Sequence, residues 1–412
     1  MIIKLSRFLL IAVIFCLAAM FLPEYYWIGF GERIFPPQVR YSPLTKDFLV
    51  GNSIDKNFVW MGLDGKQYTK EQSDSLMPFS NYRLLAAKGL MPDTINGQKI
   101  ELDEVRLNNI FERIRPYVMD APEIKLYPLF ESKPPRLQLE LPTSFFRITD
   151  RMEFITAETN QVDEELSQLF TEALEIENFN FPMTGIYGNP TTRKPFDEGY
   201  FIVDSESQMF HVKMIHGKPH CKNIHLPEDV KVKYLSVREA ELREFYGLLI
   251  SQDDQLYLLM YDQYRLQPLP IEDYNSEQDM IMFIGNLQVR TFLLNSDHSS
   301  RAFVTDRSYK LIAQHKETWQ GYDDLKVAKI GKYLFPFQIN LTRDNSKFVN
   351  LNFSSYHFNA VYLNILFIIL TIILLRYRRA SVVKKWYDIL IVLITGIFGF
   401  IAVSIIENTD FY

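Results

Sequence analysis

Residues that can act as soft-metal ligands are concentrated in one short segment of the chain. Four of the seven histidines, together with Met214 and one of the two cysteines, fall within fifteen positions. Imidazole, thiolate and thioether groups together favour copper(I) or zinc. The spacing matches no established zinc motif, and exposed loop histidines are the alternative interpretation. The ligands that the segment predicts are His211, His216, His220, Cys221 and His225.

The usual catalytic motifs are missing from the sequence. It contains no nucleophile elbow, no helical His–Glu pair and no phosphate-binding loop of the required spacing. The paired acids Asp197–Glu198 and Asp323–Asp324 are predicted to be solvated surface groups, because adjacent side chains usually diverge. We therefore assign no catalytic and no cofactor-binding residue, and we predict a non-enzymatic protein, with an enzyme as the alternative. The sequence identifies no cofactor beyond the copper or zinc that the histidine-rich segment could bind.

The elements that would position these residues are mostly strands. Four mostly apolar residues, a polar turn and a second apolar strand recur roughly every 35 to 55 residues, which is close to the spacing of propeller blades. This pattern predicts a mainly β domain, propeller-like with about five blades, although a β-sandwich or meander would give similar hairpins. Asp204, Ser251 and Asp306 recur at one place in the unit and are predicted to cap its turn. The units begin at Arg147, Phe201, Leu248, Phe303 and Ile339.

A few helices are predicted within the β-rich region. Thr69 and Gln72 form a capping box for a helix through about Lys88, and Asp163 caps another helix. Helical spacing from Leu107 to Ile114 and the stretch 237–245 predict two more.

Three apolar runs are long enough to suggest membrane crossings. They are residues 8–22, extending toward residue 30, residues 358–375 and residues 386–406. We interpret the first as an uncleaved signal anchor, with a cleaved signal peptide as the alternative. The last two runs predict a transmembrane hairpin joined by a basic connector, which marks its cytoplasmic side. The basic groups on that side are Lys4, Arg7, Arg376, Arg378, Arg379, Lys384 and Lys385.

This topology divides the chain into four regions. Residues 1–30 form the anchor, 31–124 a mixed α/β lead-in, 125–357 the β-rich domain, and 358–412 the hairpin with a short outer tail from 407 to 412. The N-terminus would be cytoplasmic and the main domain extracytoplasmic. The predicted partners are the lipid bilayer and a membrane protein.

The C-terminal hairpin carries residues that favour close helix contact in a membrane. Gly396, Gly399 and Ala402 are small residues on one run, and Asn364 is a polar residue on the other. They predict a seam at which a membrane-protein partner docks, or one that only closes the hairpin itself.

Composition narrows the remaining possibilities. The net charge is −6, and the basic residues assigned to the cytoplasmic side leave the outer part more acidic still. This balance argues against a nucleic-acid partner. Cys16 lies in the first apolar run, so Cys221 has no partner for an intramolecular disulfide in the outer domain.

Three stretches resemble an uncharacterised bacterial family classed as a domain of unknown function. They are the runs 63–69, 78–85 and 91–97, with Phe245-Tyr246-Gly247-Leu248 also similar. The resemblance implies an outer domain with C-terminal membrane helices, and relatives encoded near ABC-type export components. We therefore expect an accessory or binding subunit of a cell-envelope complex, associated with such an exporter. The alternatives are an extracytoplasmic enzyme with an unrecognised site and a membrane-spanning sensor.

Overall fold

The protein folds as two compact units, seen in a computed structural model. The residues described are 2–54, 57–119, 121, 124–135, 138–341, 349, 351–383 and 385–406. The β unit is Pro37–Glu317, and the helical unit combines Met1–Pro36 with Thr318–Tyr412. Residues 318–357, which the sequence analysis assigned to the β-rich domain, therefore group with the apolar helices. Leu137, Lys384 and the predicted outer tail at 407–412 lie outside the described residues.

Five antiparallel sheets, here called A to E, make up most of the β unit. Sheet A contains β1 (Gln38–Ser42), β2 (Asp47–Ile54), β3 (Asn57–Gly62) and β4 (Gln67–Tyr68). Sheet B contains β8 (Tyr127–Pro128), β9 (Ser144–Ile148), β10 (Met152–Thr156) and β11 (Val162–Asp163). Sheet C contains β12 (Gly185–Gly188), β13 (Tyr200–Val203), β14 (Met209–Ile215) and β15 (Lys218–Asn223). Each sheet is a meander whose successive strands are hydrogen-bonded neighbours.

The last two sheets follow the same plan, with one addition. Sheet D contains β16 (Val232–Val237), β17 (Phe245–Ser251), β18 (Leu256–Met260) and β19 (Leu266–Pro268). Sheet E contains β20 (Met280–Gly285), β21 (Arg290–Asn295), β22 (Ser299–Thr305), β23 (Leu311–Thr318) and the earlier strand β7 (Ile110–Ile114). The remaining elements are α2 (Lys70–Leu76), α3 (Tyr82–Ala87), the β5–β6 hairpin (Thr94–Ile95, Gln98–Lys99), α4 (Leu102–Asn108), α5 (Pro116–Met119) and α6 (Glu164–Ile176).

The sheets share their cores in the order B, C, D, E, A. Phe154 of sheet B and Phe210 of sheet C lie in one cluster, together with Phe170 of α6. Further clusters join sheet C to sheet D, sheet D to sheet E, and sheet E to sheet A. Apolar side chains alternating along each strand thus bury both faces of the three middle sheets.

A closed propeller is not formed by the described residues, because no core cluster joins sheet A to sheet B. The two outward faces do not match chemically. Sheet B presents ion pairs there, including Arg147 Nε to Glu153 Oε2 at 2.7 Å, whereas sheet A presents the aromatic rings of Phe58 and Trp60. The mainly β prediction is confirmed, but the described residues form an open series of five sheets and no closed propeller. The unit predicted to begin at Ile339 lies outside this series, as a short ribbon of the helical unit.

The turn positions predicted from the recurring unit are confirmed. The Asp204 carboxylate accepts hydrogen bonds from the backbone N–H groups of Glu206 and Gln208, at 2.9 and 2.8 Å. Ser251 Oγ accepts from the Gln255 N–H, and Asp306 does the same in its own turn. Short polar side chains hold these turns because they replace the backbone partners that the hairpin lacks.

Two helices predicted from spacing are wrong. Residues 110–114 form β7, which pairs with β20 so closely that a Cβ on Gly285 would lie 2.7 Å from the Ile110 side chain. There, tertiary pairing overrides local spacing. The stretch 237–245 is not a helix either: β16 ends at Val237, residues 238–244 form an irregular loop, and β17 begins at Phe245. The Thr69 capping box exists, but its helix ends at Leu76, and α3 is a separate element.

The described part of the helical unit is built around four apolar helices and a short β-ribbon. It contains α1 (Ile2–Phe30), α7 (Lys326–Leu334), the β24–β25 ribbon (Ile339–Asn340, Asn352–Phe353), α8 (Val361–Tyr377), α9 (Trp386–Thr395) and α10 (Ile397–Ile405), with short 3-10 turns at Tyr322–Asp324 and Phe358–Ala360. Its core contains Ala18 and Ala19 of α1, Phe398 of α10 and Ile339. The first apolar run is thus packed against the C-terminal helices.

Two helices of the described chain, not three, are long and apolar enough to cross a membrane. They span Leu5–Phe30 and Phe358–Tyr377. The third predicted span is divided at Gly396, whose φ of 56° and ψ of −127° end α9 and begin α10. L-residues rarely adopt this conformation, so a glycine at this position permits the break.

Candidate functional site

A buried polar network joins charged groups from the loops and strands of sheets C and D. Lys194, in the loop between β12 and β13, donates from Nζ to Asp197 Oδ1 at 2.5 Å, Glu239 Oε1 at 2.7 Å and the Asn189 carbonyl at 2.8 Å. The three charged side chains are at most 2% exposed. One ammonium group thus joins two carboxylates from separate loops.

Glu198 extends the network toward sheet D. Its carboxylate accepts from Lys213 Nζ at 2.8 Å and from the Tyr261 hydroxyl at 3.0 Å. Its backbone N–H donates to Glu239 Oε1 at 2.7 Å. Arg243 Nη1 lies 3.9 Å away at the more exposed edge. Three carboxylates are therefore matched by two lysines and one arginine.

His211 lies fully buried beneath this network. Its Nε2 is 2.5 Å from the Glu198 carbonyl, which can only accept, so Nε2 carries the proton and Nδ1 accepts from the Tyr264 hydroxyl at 2.9 Å. The imidazole stacks on Phe201 with centroids 4.2 Å apart. Burial, reinforced by the Lys213 charge, lowers the pKa of His211 to about 3, so the ring is neutral at physiological pH.

Burial also perturbs the acids and phenols of the site. It raises the pKa of Asp197 and that of Glu239, and the Lys194 ammonium opposes both shifts. Burial and the Glu198 carboxylate raise the pKa of the Tyr261 hydroxyl, which therefore stays protonated as a donor. Each charged group is committed to a partner inside the protein. The arrangement can hold loops rigidly, but it offers no activated nucleophile and no unpaired base.

The predicted metal ligands do not converge. Both ring nitrogens of His211 are hydrogen bonded, and His220 and Cys221 are adjacent on β15 and so point to opposite faces. His216 is exposed in a turn, where its backbone N–H and that of Gly217 donate to the Glu131 carboxylate. His225 is exposed after the end of β15. Across the described residues, no group of three or more His, Cys, Asp or Glu side chains could hold a metal ion.

Cys221 differs from the thiolate that a metal site requires. Its side chain packs against the core between sheets B and C. Burial raises the pKa of the Cys221 thiol to about 12, so it stays protonated at neutral pH. A soft-metal site would need the deprotonated form.

The predicted helix-packing residues lie inside the helical unit. Asn364 is 1% exposed, and its Nδ2 donates to the Leu393 carbonyl at 2.9 Å. A Cβ on Gly396 would overlap Asn364 Oδ1, and one on Gly399 would lie 3.0 Å from Ile391. Gly399 and Ala402 are buried. The seam is thus filled by the chain itself.

Sequence reasoning missed the polar network. The Asp197–Glu198 pair was predicted to be solvated, but both residues are 3% exposed, which corrects that expectation. Lys194 and Glu239 carried no local signal, because 45 residues separate them. His211 lies among the apolar residues 209–212, in the second strand of the recurring unit that begins at Phe201. That position was the available sign that its side chain is buried.

Comparison with known proteins identifies a family but no activity. No curated protein matches the chain. Among solved structures, the chain is similar to PorZ, a surface component of the type-IX secretion system of Porphyromonas gingivalis, with 9% identity and a TM-score of 0.21. The match covers 69% of this chain but 32% of PorZ, so the chain spans about a third of that protein's length. A family model for a domain of unknown function matches residues 38–305, most of the chain. The chain therefore belongs to the DUF4857 family, a domain of unknown function.

Proposed function

We propose that this protein is a membrane-anchored, non-enzymatic binding subunit of a bacterial cell-envelope complex, with its β unit outside the cytoplasm. The observation that carries the proposal is a partly exposed aromatic face on sheet A, the end sheet of the series. The proposal gives the β unit a binding role and the helical unit an anchoring role.

The aromatic face is formed by alternate residues of neighbouring strands. Trp60 pairs with Gly51 on β2 and with Tyr68 on β4, and Phe58 pairs with Ser53, so these side chains share one face. The Phe58 and Trp60 rings meet edge to face with centroids 5.4 Å apart, and Phe58 is 51% exposed. Trp60 and Tyr68 are half-buried beside it. A cluster of aromatic rings that is partly open to solvent is typical of protein-binding surfaces.

The open series of sheets supports this assignment. Five meanders packed in series favour a propeller-like arrangement that is open between sheets A and B. The aromatic face lies at this open end and belongs to no shared sheet core of the described chain. A protein partner that covers it would complete the apolar packing that every other pair of neighbouring sheets already has.

Anchoring is supported by the contacts of α1. Tyr26 donates to the Val327 carbonyl at 3.0 Å, and Phe15 packs against Phe337 and Phe398. These contacts support an uncleaved signal anchor over a cleaved signal peptide. Isoleucines at 365, 369 and 373 are about half exposed on α8 and would face lipid or a membrane-protein partner. Association with an ABC-type exporter rests on the sequence resemblance alone.

Photocrosslinking in the native host tests the binding role. A benzophenone amino acid replaces Phe58 in one variant and Arg147, on the charged outward face of sheet B, in a matched control. We expect a discrete crosslinked adduct from position 58 and not from position 147, and loss of the same partner in the Phe58→Ser variant. Equal adducts from both positions, or none from position 58 in a membrane-inserted protein, would refute the aromatic face as the binding surface.

A further inference from the structure

A single arginine side chain touches both ends of the C-terminal helix pair. Arg7 Nη2 lies 3.0 Å from Asp388 Oδ2, in the first turn of α9, and 3.4 Å from the Ile406 carbonyl, just after α10. Arg7 Nη1 also donates to Asp388 Oδ1 at 2.8 Å. The beginning of α9 and the end of α10 are therefore neighbours.

This proximity is incompatible with one continuous helix. At 1.5 Å per residue, a helix from 388 to 406 would separate its ends by about 27 Å. The chain must instead reverse between them. Gly399 confirms the reversal, because a Cβ there would lie 3.0 Å from Ile391, eight residues earlier and more than two helical turns away.

The end of α8 meets the same end of α10. Arg378, which follows α8 at the connector, donates from Nη2 to the Ser404 carbonyl at 2.7 Å. At the opposite end of α8, Asn364 donates to the Leu393 carbonyl, next to the turn at Gly396. The turn is thus level with Asn364, inside the first turn of α8 and past the start of its apolar span at Phe358, and the last residues of α10 are level with the end of α8.

Polar groups at the turn have partners from within the unit. The Leu393 carbonyl lies in the last turn of α9, where helical carbonyls lack backbone N–H donors. The Asn364 side-chain amide donates to it instead. Thr395 Oγ1 donates to the Ile391 carbonyl at 2.6 Å. An unsatisfied carbonyl would be costly within a hydrocarbon layer, so these bonds suit a chain reversal at membrane depth.

We propose that α9 and α10 form a re-entrant hairpin that enters and leaves the bilayer on the side of the connector. α9 has 10 residues, or about 15 Å, which is roughly half of a hydrocarbon core. Ile406 then lies on the same side of the membrane as Arg7 and Arg378, opposite to the side that a third full span would give. The inference rests on the membrane anchoring of the proposed function and extends it.

Labelling of single cysteines with a membrane-impermeant maleimide tests this topology in the full chain. The background is Cys16→Ala and Cys221→Ala, and the probes are Ser381→Cys in the connector, Ser355→Cys before α8, and Ile406→Cys. We expect Ile406→Cys to be labelled in the same preparation, intact cells or inverted vesicles, as Ser381→Cys, and to be protected where Ser355→Cys is labelled.

The two possible failures are distinguishable. Labelling of Ile406→Cys together with Ser355→Cys would overturn the hairpin but leave the anchor intact. Labelling of Ser381→Cys and Ser355→Cys from one side would show that α8 does not cross the membrane, which would overturn the membrane span proposed for α8 as well.

A second measurement does not depend on labelling. In a continuous helix, Gly396→Ala would raise the thermal midpoint, because alanine favours helix more than glycine does. In the hairpin it lowers the midpoint, because φ is positive and the added Cβ overlaps Asn364. Gly29→Ala is the control, since Gly29 is helical and its Cβ would meet nothing within 4 Å. A Gly396→Ala midpoint equal to or above that of Gly29→Ala would refute the hairpin.

Discussion

The helical unit and the β unit both bury an ion pair, but they place it differently. In the helical unit, Arg7 and Asp388 are 381 residues apart, and Asp388 is completely buried. In the β unit, Lys194 pairs with Asp197 three residues away and with Glu239 across two loops. The first pair brings the N-terminal helix to the C-terminal helices. The second fixes the loop that precedes β13.

The difference shows that a buried ion pair has a different role in each unit. Packing between apolar helices in lipid gains little from the hydrophobic effect, so one polar contact can select a single arrangement. The β unit already has extensive apolar cores between its sheets, and its ion pairs need only order the loops around them. Breaking either pair leaves a buried charge without its partner, which typically costs more than the intact pair contributes.

Breaking the pair of the helical unit is expected to have the largest effect. Asp388→Leu leaves the Arg7 guanidinium without its carboxylate and should lower the free energy of unfolding by about 3–5 kcal/mol. Reversible denaturation in detergent micelles measures the loss. The Arg7→Met, Asp388→Leu double variant should recover most of it, because no unpaired charge is left. A double variant as unstable as the single one would show that the pair does not hold these helices.

The corresponding change in the β unit is Lys194→Met, which removes the cation of its buried ion pair. It leaves Asp197 and Glu239 close together in a buried site and should cost about 3 kcal/mol at pH 8. Burial already raises the pKa of both acids, and loss of the ammonium raises each pKa further. Protonation of one acid then relieves the repulsion, so the destabilisation should shrink as the pH falls from 8 to 5.

Hydrogen exchange of the loop at 189–199 locates this effect. We expect faster exchange there in Lys194→Met and unchanged exchange in the helical unit. Lys233→Met is the matched control, because Lys233 is 34% exposed and its partner Asp254 is 28% exposed. A pH-independent loss, or one shared by the control, would contradict the proposed role of Lys194.

Much of the β unit could be predicted from the sequence because the relevant information is local. The strand–turn–strand units and their capping residues at 204, 251 and 306 depend on contacts between near neighbours in the chain. The strand at 110–114 could not be predicted in this way, because its pairing with β20 joins segments about 170 residues apart. Ile110 and Ile114 are both buried, and a spacing of four residues places two side chains on one face of a helix and also on one face of a strand.

The candidate site and the third apolar run were harder to predict for different reasons. Lys194 and Glu239 meet only after sheets C and D have packed, so neither residue stands out in its own segment. In the run at 386–406, hydropathy is the same whether the chain continues or reverses. Only the backbone at Gly396 and the contacts of Arg7 distinguish the two, and neither can be read from composition.

The smallest expected effect concerns a neutral buried base in the β unit, His211. Its folded pKa of about 3 lies below the ordinary value of 6.5 because of burial and the charges of Lys213 and Lys222. The unfolded chain therefore gains a proton below about pH 6.5 that the folded protein does not. The stability contributed by the neutral ring is present above pH 6.5 and is lost as the pH falls toward 3.

Comparison with His211→Gln isolates this contribution. The variant removes the titration while keeping an amide near the Glu198 carbonyl and the Tyr264 hydroxyl. Between pH 7 and pH 5 we expect the wild type to lose about 2 kcal/mol more free energy of unfolding than the variant, measured by exchange of the β14 amides. His216→Gln is the control, because that side chain is exposed in a turn. If His211→Gln follows the wild-type pH profile, the neutral His211 ring does not contribute the expected pH dependence.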